Sequence, residues 1–268
     1  MTINFLARGE GRIGYTVQGE GPLVICLPGM GELRSVYRFT VPALVDAGYR
    51  VAVPDLRGHG DSDDGFHEHD DAALASDALA LIDQLGDRAI LVGNSMGSSA
   101  AILAAADQPT KVTGLVLIAP FVRNPKISPA LSLLMRLLLV RPWGPAAWRA
   151  YHRTLFPGRR PTDLAEHQAR IAESMRRGDH WRSFVRTTRT NHDPVERRLD
   201  QVRASTLVVM GEKDPDYPDA AAEARYVADR LHGELLLVPD SGHYPMTEYP
   251  ELVNPALVDF VNRVAAGA

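Results

Sequence analysis

Five residues, Gly93-Asn94-Ser95-Met96-Gly97, stand between the apolar run Ala89-Ile90-Leu91-Val92 and the small-residue stretch Ser98 to Ala106. A short apolar run bounded by turn residues reads as a buried strand, and the alanine-rich stretch after it reads as a helix. The five residues must therefore turn a strand directly into a helix, with a serine at the corner. In so sharp a turn the serine backbone is strained and its hydroxyl projects from the sheet. Only glycine two residues to either side avoids a side-chain clash there. The spacing thus has a steric cause, and it constrains the chain to a sheet whose strands run into helices.

The rest of the chain agrees with that constraint. Strand-like runs recur at Gly11 to Gln18, Leu23 to Leu27, Arg50 to Pro54, Ala89 to Val92, Gly114 to Ile118, Thr206 to Met210 and Glu234 to Val238. Helical periodicity falls between and after them. In Asp70 to Leu85 the residues Leu74, Ala78, Leu81, Ile82 and Leu85 share one face, with Gly86 as a stop. Leu252, Ala256, Leu257, Phe260, Val261 and Val264 make one face of a closing helix. Such alternation predicts an α/β fold with a mostly parallel central sheet and helices on both faces. Residues 121–203 differ, with several helical stretches, many arginines and prolines, and no clear strand. They read as a helical cap inserted into a core formed by residues 1–120 and 204–268, roofing the strand ends where α/β sheets bind ligands.

Composition narrows the function classes. The net charge is −4, with no terminal block of lysines or arginines, which argues against nucleic acid as a partner. The single cysteine, Cys26, lies inside an apolar run, so it reads as a buried thiol and no intrachain disulfide is possible. The first residues lack a basic region followed by an apolar core, and the cytoplasm is the default expectation. Leu131 to Val140 is leucine-rich but too short to span a membrane, and Arg136 interrupts it. It reads as an apolar helix covering a core or pocket, with interfacial membrane binding as the alternative.

A serine hydroxyl is a weak nucleophile near neutral pH and needs a base within hydrogen-bond reach, itself oriented by a third group. The run Thr206 to Met210 leads into Gly211-Glu212-Lys213-Asp214, which places a carboxylate just past a strand end. Glu234 to Val238 leads into Pro239-Asp240-Ser241-Gly242-His243, which places an imidazole in the next loop. Ser95, Asp214 and His243 are the candidate nucleophile, acid and base. Asp216 is the alternative acid if the turn is one step longer.

On these residues the chain resembles the α/β-hydrolase superfamily, in its serine-nucleophile branch with a helical cap. The motifs that carry the resemblance are Leu27-Pro28-Gly29-Met30-Gly31, Pro54-Asp55-Leu56-Arg57-Gly58-His59-Gly60-Asp61-Ser62, the glycine-flanked Ser95, Gly211-Glu212-Lys213-Asp214 and Ser241-Gly242-His243. The resemblance implies an α/β-hydrolase fold and a Ser95, His243, Asp214 triad. It also implies that the backbone amides of Met30 and Met96 stabilise the oxyanion. Where relatives have His-Gly in the first loop, this chain has Pro28-Gly29. Asp55, Arg57, His59 and Asp61 are expected to form a structural hydrogen-bond network.

The function that follows is a serine hydrolase cleaving carboxylic esters of a small to medium hydrophobic molecule, with no cofactor and no metal. Two alternatives stand beside it. One is carbon-carbon bond hydrolysis, since Gly-Asn-Ser-Met-Gly also resembles enzymes that cleave ring-fission diketones. Those enzymes favour another glycine where this chain has Ser98, and a tryptophan where it has Tyr244. The other is a ligand-binding protein that keeps the fold without turnover. Leu131, Leu134, Met135, Leu138, Trp143 and Trp148 are expected to line an apolar pocket. His67-Glu68-His69-Asp70-Asp71 has metal-ligand residue types but reads as a surface loop. Arg176, Arg177, Arg182, Arg186 and Arg189 read as a solvated face, with an anionic substrate as the alternative. Oligomeric state is not legible.

Overall fold

The computed structural model describes residues 2–124 and 128–267, and of Leu131 and Ser132 the backbone only. Eight strands form one sheet: β1 (Asn4–Arg8), β2 (Gly11–Gln18), β3 (Leu23–Leu27), β4 (Arg50–Pro54), β5 (Ala89–Asn94), β6 (Val112–Ile118), β7 (Ser205–Gly211) and β8 (Glu234–Val238). Their spatial order is β1-β2-β4-β3-β5-β6-β7-β8. The hairpin β1-β2 and the β2-β4 pair are antiparallel, and every other pairing is parallel. Sequence periodicity misses β1, an edge strand in which only Leu6 is fully buried.

The central parallel strands are apolar along most of their length because both faces are covered. Their side chains nonetheless sort by the strand period of two. Leu23, Ile25 and Leu27 of β3 join one core layer, while Val24 and Cys26 join the other. Ala89 and Leu91 of β5 divide from Ile90 and Val92 in the same way. The first layer is closed by α2 (Asp71–Leu85), α3 (Met96–Asp107) and α9 (Ala220–Leu231), and the second by α1 (Thr40–Asp46) and α11 (Pro250–Ala266). Asp70 caps α2 by accepting from the Ala73 amide at 2.9 Å.

Chain order and spatial order cross between β3 and β5. The helix after β3, α1, lies on one face, and the helix after β5, α3, lies on the other. The loops leaving these two neighbouring strands therefore part, and a crevice opens at their carboxyl ends. Ser95 follows β5 and Met30 follows β3, so both stand at that crevice.

Between β6 and β7 the described residues form helices and no strand: α4 (Pro129–Leu138), α5 (Gly144–Thr154), α6 (Leu164–Ser174), α7 (His180–Thr187) and α8 (Asp193–Glu196). A separate small cluster of Trp148, Ile171, Met175, Trp181 and Phe184 holds α5, α6 and α7 together. One expectation fails here. Leu134, Met135, Leu138 and Trp143 are exposed instead of lining a pocket, and of that group Trp148 alone is buried. The side chain of Leu131 lies outside the described residues. The reason is geometric, because α4 projects from the segment with α5 as its main neighbour. A second short helix, α10 (Pro245–Glu248), precedes α11.

Candidate active site

Ser95 has φ 55° and ψ −120°, a conformation that costs an L-residue energy and that the turn from β5 into α3 enforces. The flanking glycines are obligatory. A Cβ at Gly97 would overlap the Leu27 carbonyl, and one at Gly93 would overlap the Gly97 backbone. Gly29 admits Ser95 for the same reason, since its own Cβ would stand 2.9 Å from that of Ser95. The Ser95 amide donates to the Ile118 carbonyl at 2.8 Å, which ties the corner to the end of β6.

The ends of β7 and β8, beyond β6 in the sheet, deliver the other two groups. His243 Nδ1 lies 2.7 Å from Asp214 Oδ2, and both residues are buried. The Asn94 side-chain amide donates to the His243 carbonyl at 3.2 Å and so pins the histidine loop to the serine corner. Because Nδ1 is occupied by Asp214, the proton there is assigned to the imidazole and Nε2 is left to accept. Asp216 Oδ2 lies 3.5 Å from the same Nδ1, beyond a hydrogen bond but within ion-pair distance. Asp216 also accepts from the Tyr151 hydroxyl of α5, and its amide donates to Asp214 Oδ1 at 3.0 Å. Burial opposes the imidazolium, but the Asp214 and Asp216 carboxylates together outweigh it and hold His243 at about 9. Burial pushes the Asp216 carboxyl up.

The Met96 amide is the first of α3, where no carbonyl of the helix reaches it. The Met30 amide lies in the loop after β3. Neither has an acceptor among the described residues. Two unengaged amides flanking the crevice suit a developing oxyanion. The Pro28-Gly29 departure leaves the loop closely packed, with Gly31 at φ 72° under Trp148 and Phe184.

Two carboxylates that sequence reasoning passed over complete the surroundings. Glu32, fully buried, bridges His152 Nε2 of α5 and His167 Nε2 of α6, each at 2.7 Å. Gln168 and Ser35 meet the outer ring nitrogens at 3.1 and 3.2 Å, so every polar atom of this knot has a partner. Burial opposes the Glu32 charge, but the two histidines outweigh it and hold the carboxyl well below the usual range. Glu248 accepts from the Gly242 amide at 2.6 Å and the Ser241 hydroxyl at 3.0 Å, fixing the turn into His243. Burial, partly offset by those bonds, pushes Glu248 up to about 7. The only sequence signal for Glu32 was its place two residues after Met30; its partners lie 120 and 135 residues away.

The remaining candidates fall elsewhere. Asp55 and Asp61 are gripped by Arg34, and Arg57 pairs with Asp77 at 2.7 Å, a network that shapes its loop. Arg177 donates to the Gly60 carbonyl at 2.7 Å and Arg186 to the Phe66 carbonyl at 2.9 Å. Arg176, Arg182 and Arg189 are exposed. His67, Glu68 and Asp70 are exposed, but His69 and Asp71 are buried, so the stretch is only half a surface loop. Asp71 is held there by His192 at 2.7 Å. A cavity of about 20 Å³ between α5 and α6 is lined by Trp148, His152 and Gln168 and does not include Ser95.

A mostly parallel sheet crossed at β3 and β5, with a strained serine after β5 and an aspartate and a histidine after β7 and β8, is the arrangement of an α/β hydrolase. The sequence model of the alpha/beta hydrolase family matches residues 24–256, and the chain belongs to that family. It is 29% identical to a 2-hydroxy-6-oxo-6-phenylhexa-2,4-dienoate hydrolase of Burkholderia cepacia, covering 97% of this chain and 95% of the relative. It is 30% identical to a 2-hydroxy-6-oxononadienedioate/2-hydroxy-6-oxononatrienedioate hydrolase of Paraburkholderia xenovorans (strain LB400), covering 94% and 91%. Among solved structures, a bromoperoxidase from Bacillus anthracis superposes with a TM-score of 0.85 at 19% identity, covering 97% of this chain and all of the other, a likeness of fold.

Proposed function

We propose that the protein is a serine hydrolase acting through Ser95, His243 and Asp214 on carboxylic esters of a small to medium hydrophobic molecule. The observation that carries this reading is the 2.7 Å contact between His243 and Asp214 in a loop that Asn94 ties to the serine corner. Ser95 Oγ attacks the ester carbonyl while His243 Nε2 takes its proton, and Asp214 stabilises the imidazolium. The oxyanion forms against the Met30 and Met96 amides. Collapse expels the alcohol, which leaves with the proton from His243. Water, activated by the same imidazole, then hydrolyses the acyl-Ser95 ester and releases the acid.

Residues 121–203 serve as the cap in this reading, laying Trp148 and Phe184 over the loop that carries Met30. The wall toward the substrate is thus apolar, and Phe121 stands edge-on to His243 at 6.1 Å. A second reading, carbon-carbon bond hydrolysis, is favoured by the names of the relatives. Against it, a dienoate brings a carboxylate, and two arginines of the cap, Arg177 and Arg186, are spent on core carbonyls. Ser98, where the diketone-cleaving enzymes favour glycine, is buried with its hydroxyl on the Gly93 carbonyl at 2.8 Å.

Labelling with a fluorophosphonate, with the modified peptide located by mass spectrometry, tests the triad. Labelling at Ser95 that disappears in Ser95→Ala is the expected result, and no labelling of folded protein overturns it. Apolar esters and 2-hydroxy-6-oxo-dienoates offered side by side then decide between the bonds, with faster dienoate turnover reversing the ester reading.

A further inference from the structure

Between Gln108 and Thr162 the chain carries nine lysines and arginines and no aspartate or glutamate, in a protein whose net charge is −4. The same stretch holds the largest run of exposed apolar side chains. Leu133, Leu134, Met135, Leu137 and Leu138 of α4 are each 45 to 58% exposed, followed by Val140 and Trp143. Scattered exposed leucines are ordinary, but seven large apolar residues within eleven positions form a patch that monomers rarely leave in water. Arg136 and Arg141 lie within it, and Arg149 and Arg153 are exposed on the adjoining α5. Of these, Arg136, Arg149 and Arg153 have no ion-pair partner among the described residues.

We infer that the α4 face docks this protein on the surface of an anionic lipid bilayer. An apolar face interleaved with unpaired arginines, on a helix too short to span, is the composition that lies in the interface plane. Leucines and Trp143 enter the boundary between headgroups and acyl chains, and the arginines meet lipid phosphates. A second copy fits less well. A symmetric contact through the same face sets Arg136 and Arg141 of one copy against those of the other, and like charges across a contact repel. The docking face also leads to the candidate site, because α5 begins directly after Trp143 and carries Tyr151, whose hydroxyl meets Asp216.

The inference does not depend on the Ser95 reading. The test is co-sedimentation of the whole protein with vesicles of phosphatidylglycerol mixed with phosphatidylcholine, against phosphatidylcholine alone. Binding to the anionic vesicles that weakens with added salt is expected, with little binding to the neutral ones. Trp143 supplies an internal reporter, since it is 55% exposed while Trp148 and Trp181 are buried. Its emission shifts to the blue on binding, and the shift is lost in Trp143→Phe. Arg136→Ala weakens partitioning about fivefold. The double variant Leu134→Glu with Leu137→Glu abolishes partitioning while its circular dichroism and melting temperature stay unchanged, because both side chains are already in water. Ser95→Ala binds as the wild type does, so a failed hydrolase assignment leaves this result untouched. Folded protein that ignores anionic vesicles, or binds neutral ones equally, overturns the inference. So does a dimer in sedimentation equilibrium that the double variant splits, which assigns the face to a second copy.

Discussion

The strand ends and the helices of residues 121–203 meet at the same crevice but are held by different forces. At the strand ends, position follows from backbone. Ladder register aligns Asn94 with Ile118, Ile118 with Val209 and Gly211 with Val238, so the residues just beyond are delivered together. The glycines at 93 and 97 leave no room for another residue. The helices are held by side chains: apolar ones such as Leu155, Phe156 and Leu164 join the core, and a polar seam runs from Glu32 to His152 and His167, from Arg38 to Asp163 at 2.5 Å, from the Gly60 amide to Ser174 at 2.9 Å, and from Arg177 to Gly60. A ladder admits few substitutions, whereas a seam of side-chain contacts can be rewritten pair by pair. One fold can thereby keep its chemistry while changing what it admits.

The contrast can be broken experimentally, and the largest effect belongs to the strand ends. Ser95→Ala should lower kcat on the order of a millionfold while leaving the melting temperature within a degree or two. Comparable loss of stability would show that the corner matters for folding more than for chemistry. Glu32→Ala comes next. It strands two buried imidazole N–H groups, so denaturant unfolding should show a loss of about 3–5 kcal/mol, and Glu32→Gln a smaller one. If neither variant is destabilised, the seam is packing alone and the contrast fails.

A smaller effect sharpens the electrostatics. Since His243 must be neutral to act as base, its raised value pushes the ascending limb of the kcat/KM pH profile toward about 9. Asp216→Asn removes one of the charges that raise it, and the limb should move to lower pH. The same shift is a stability statement with a definite sign. A histidine raised above its unfolded value of about 6.5 contributes stability that is complete below that pH and lost as pH rises through the folded value. The melting temperature should therefore fall from pH 6.5 toward 9, less steeply in Asp216→Asn. A profile that does not move assigns no electrostatic role to Asp216. The smallest effect is expected at Arg182, 70% exposed beside Asp179. Arg182→Ala should change KM less than twofold, and a tenfold rise would bring back the anionic substrate.

Much of this was legible in the chain because the relevant signals are local. Four strand ranges read from apolar runs, Gly11–Gln18, Leu23–Leu27, Arg50–Pro54 and Glu234–Val238, coincide with those observed. The helical stretch read as Asp70 to Leu85 with Gly86 as its stop is observed as Asp71–Leu85, with Asp70 as its cap. Asp214 and His243 were findable because each follows a strand within a few residues. What was missed is non-local or ambiguous. The edge strand β1 buries one fully enclosed residue and so has little apolar pattern to read. The leucines of α4 have the composition of a buried helix, and composition cannot say whether a neighbour arrives to cover them.

Glu32 makes the division plain. By itself the sequence determined every strand but the edge strand β1, the serine corner and the order in which serine, acid and histidine follow their strands, because each rests on sterics or periodicity within a dozen residues. Tertiary structure decided the rest: that Asp214 lies nearer His243 than Asp216 does, that Glu32 and not a histidine-rich loop gathers two histidines, and that α4 faces solvent. Those outcomes depend on distances between segments 29 to 135 residues apart or on which surfaces remain uncovered, and no periodicity in a chain records either.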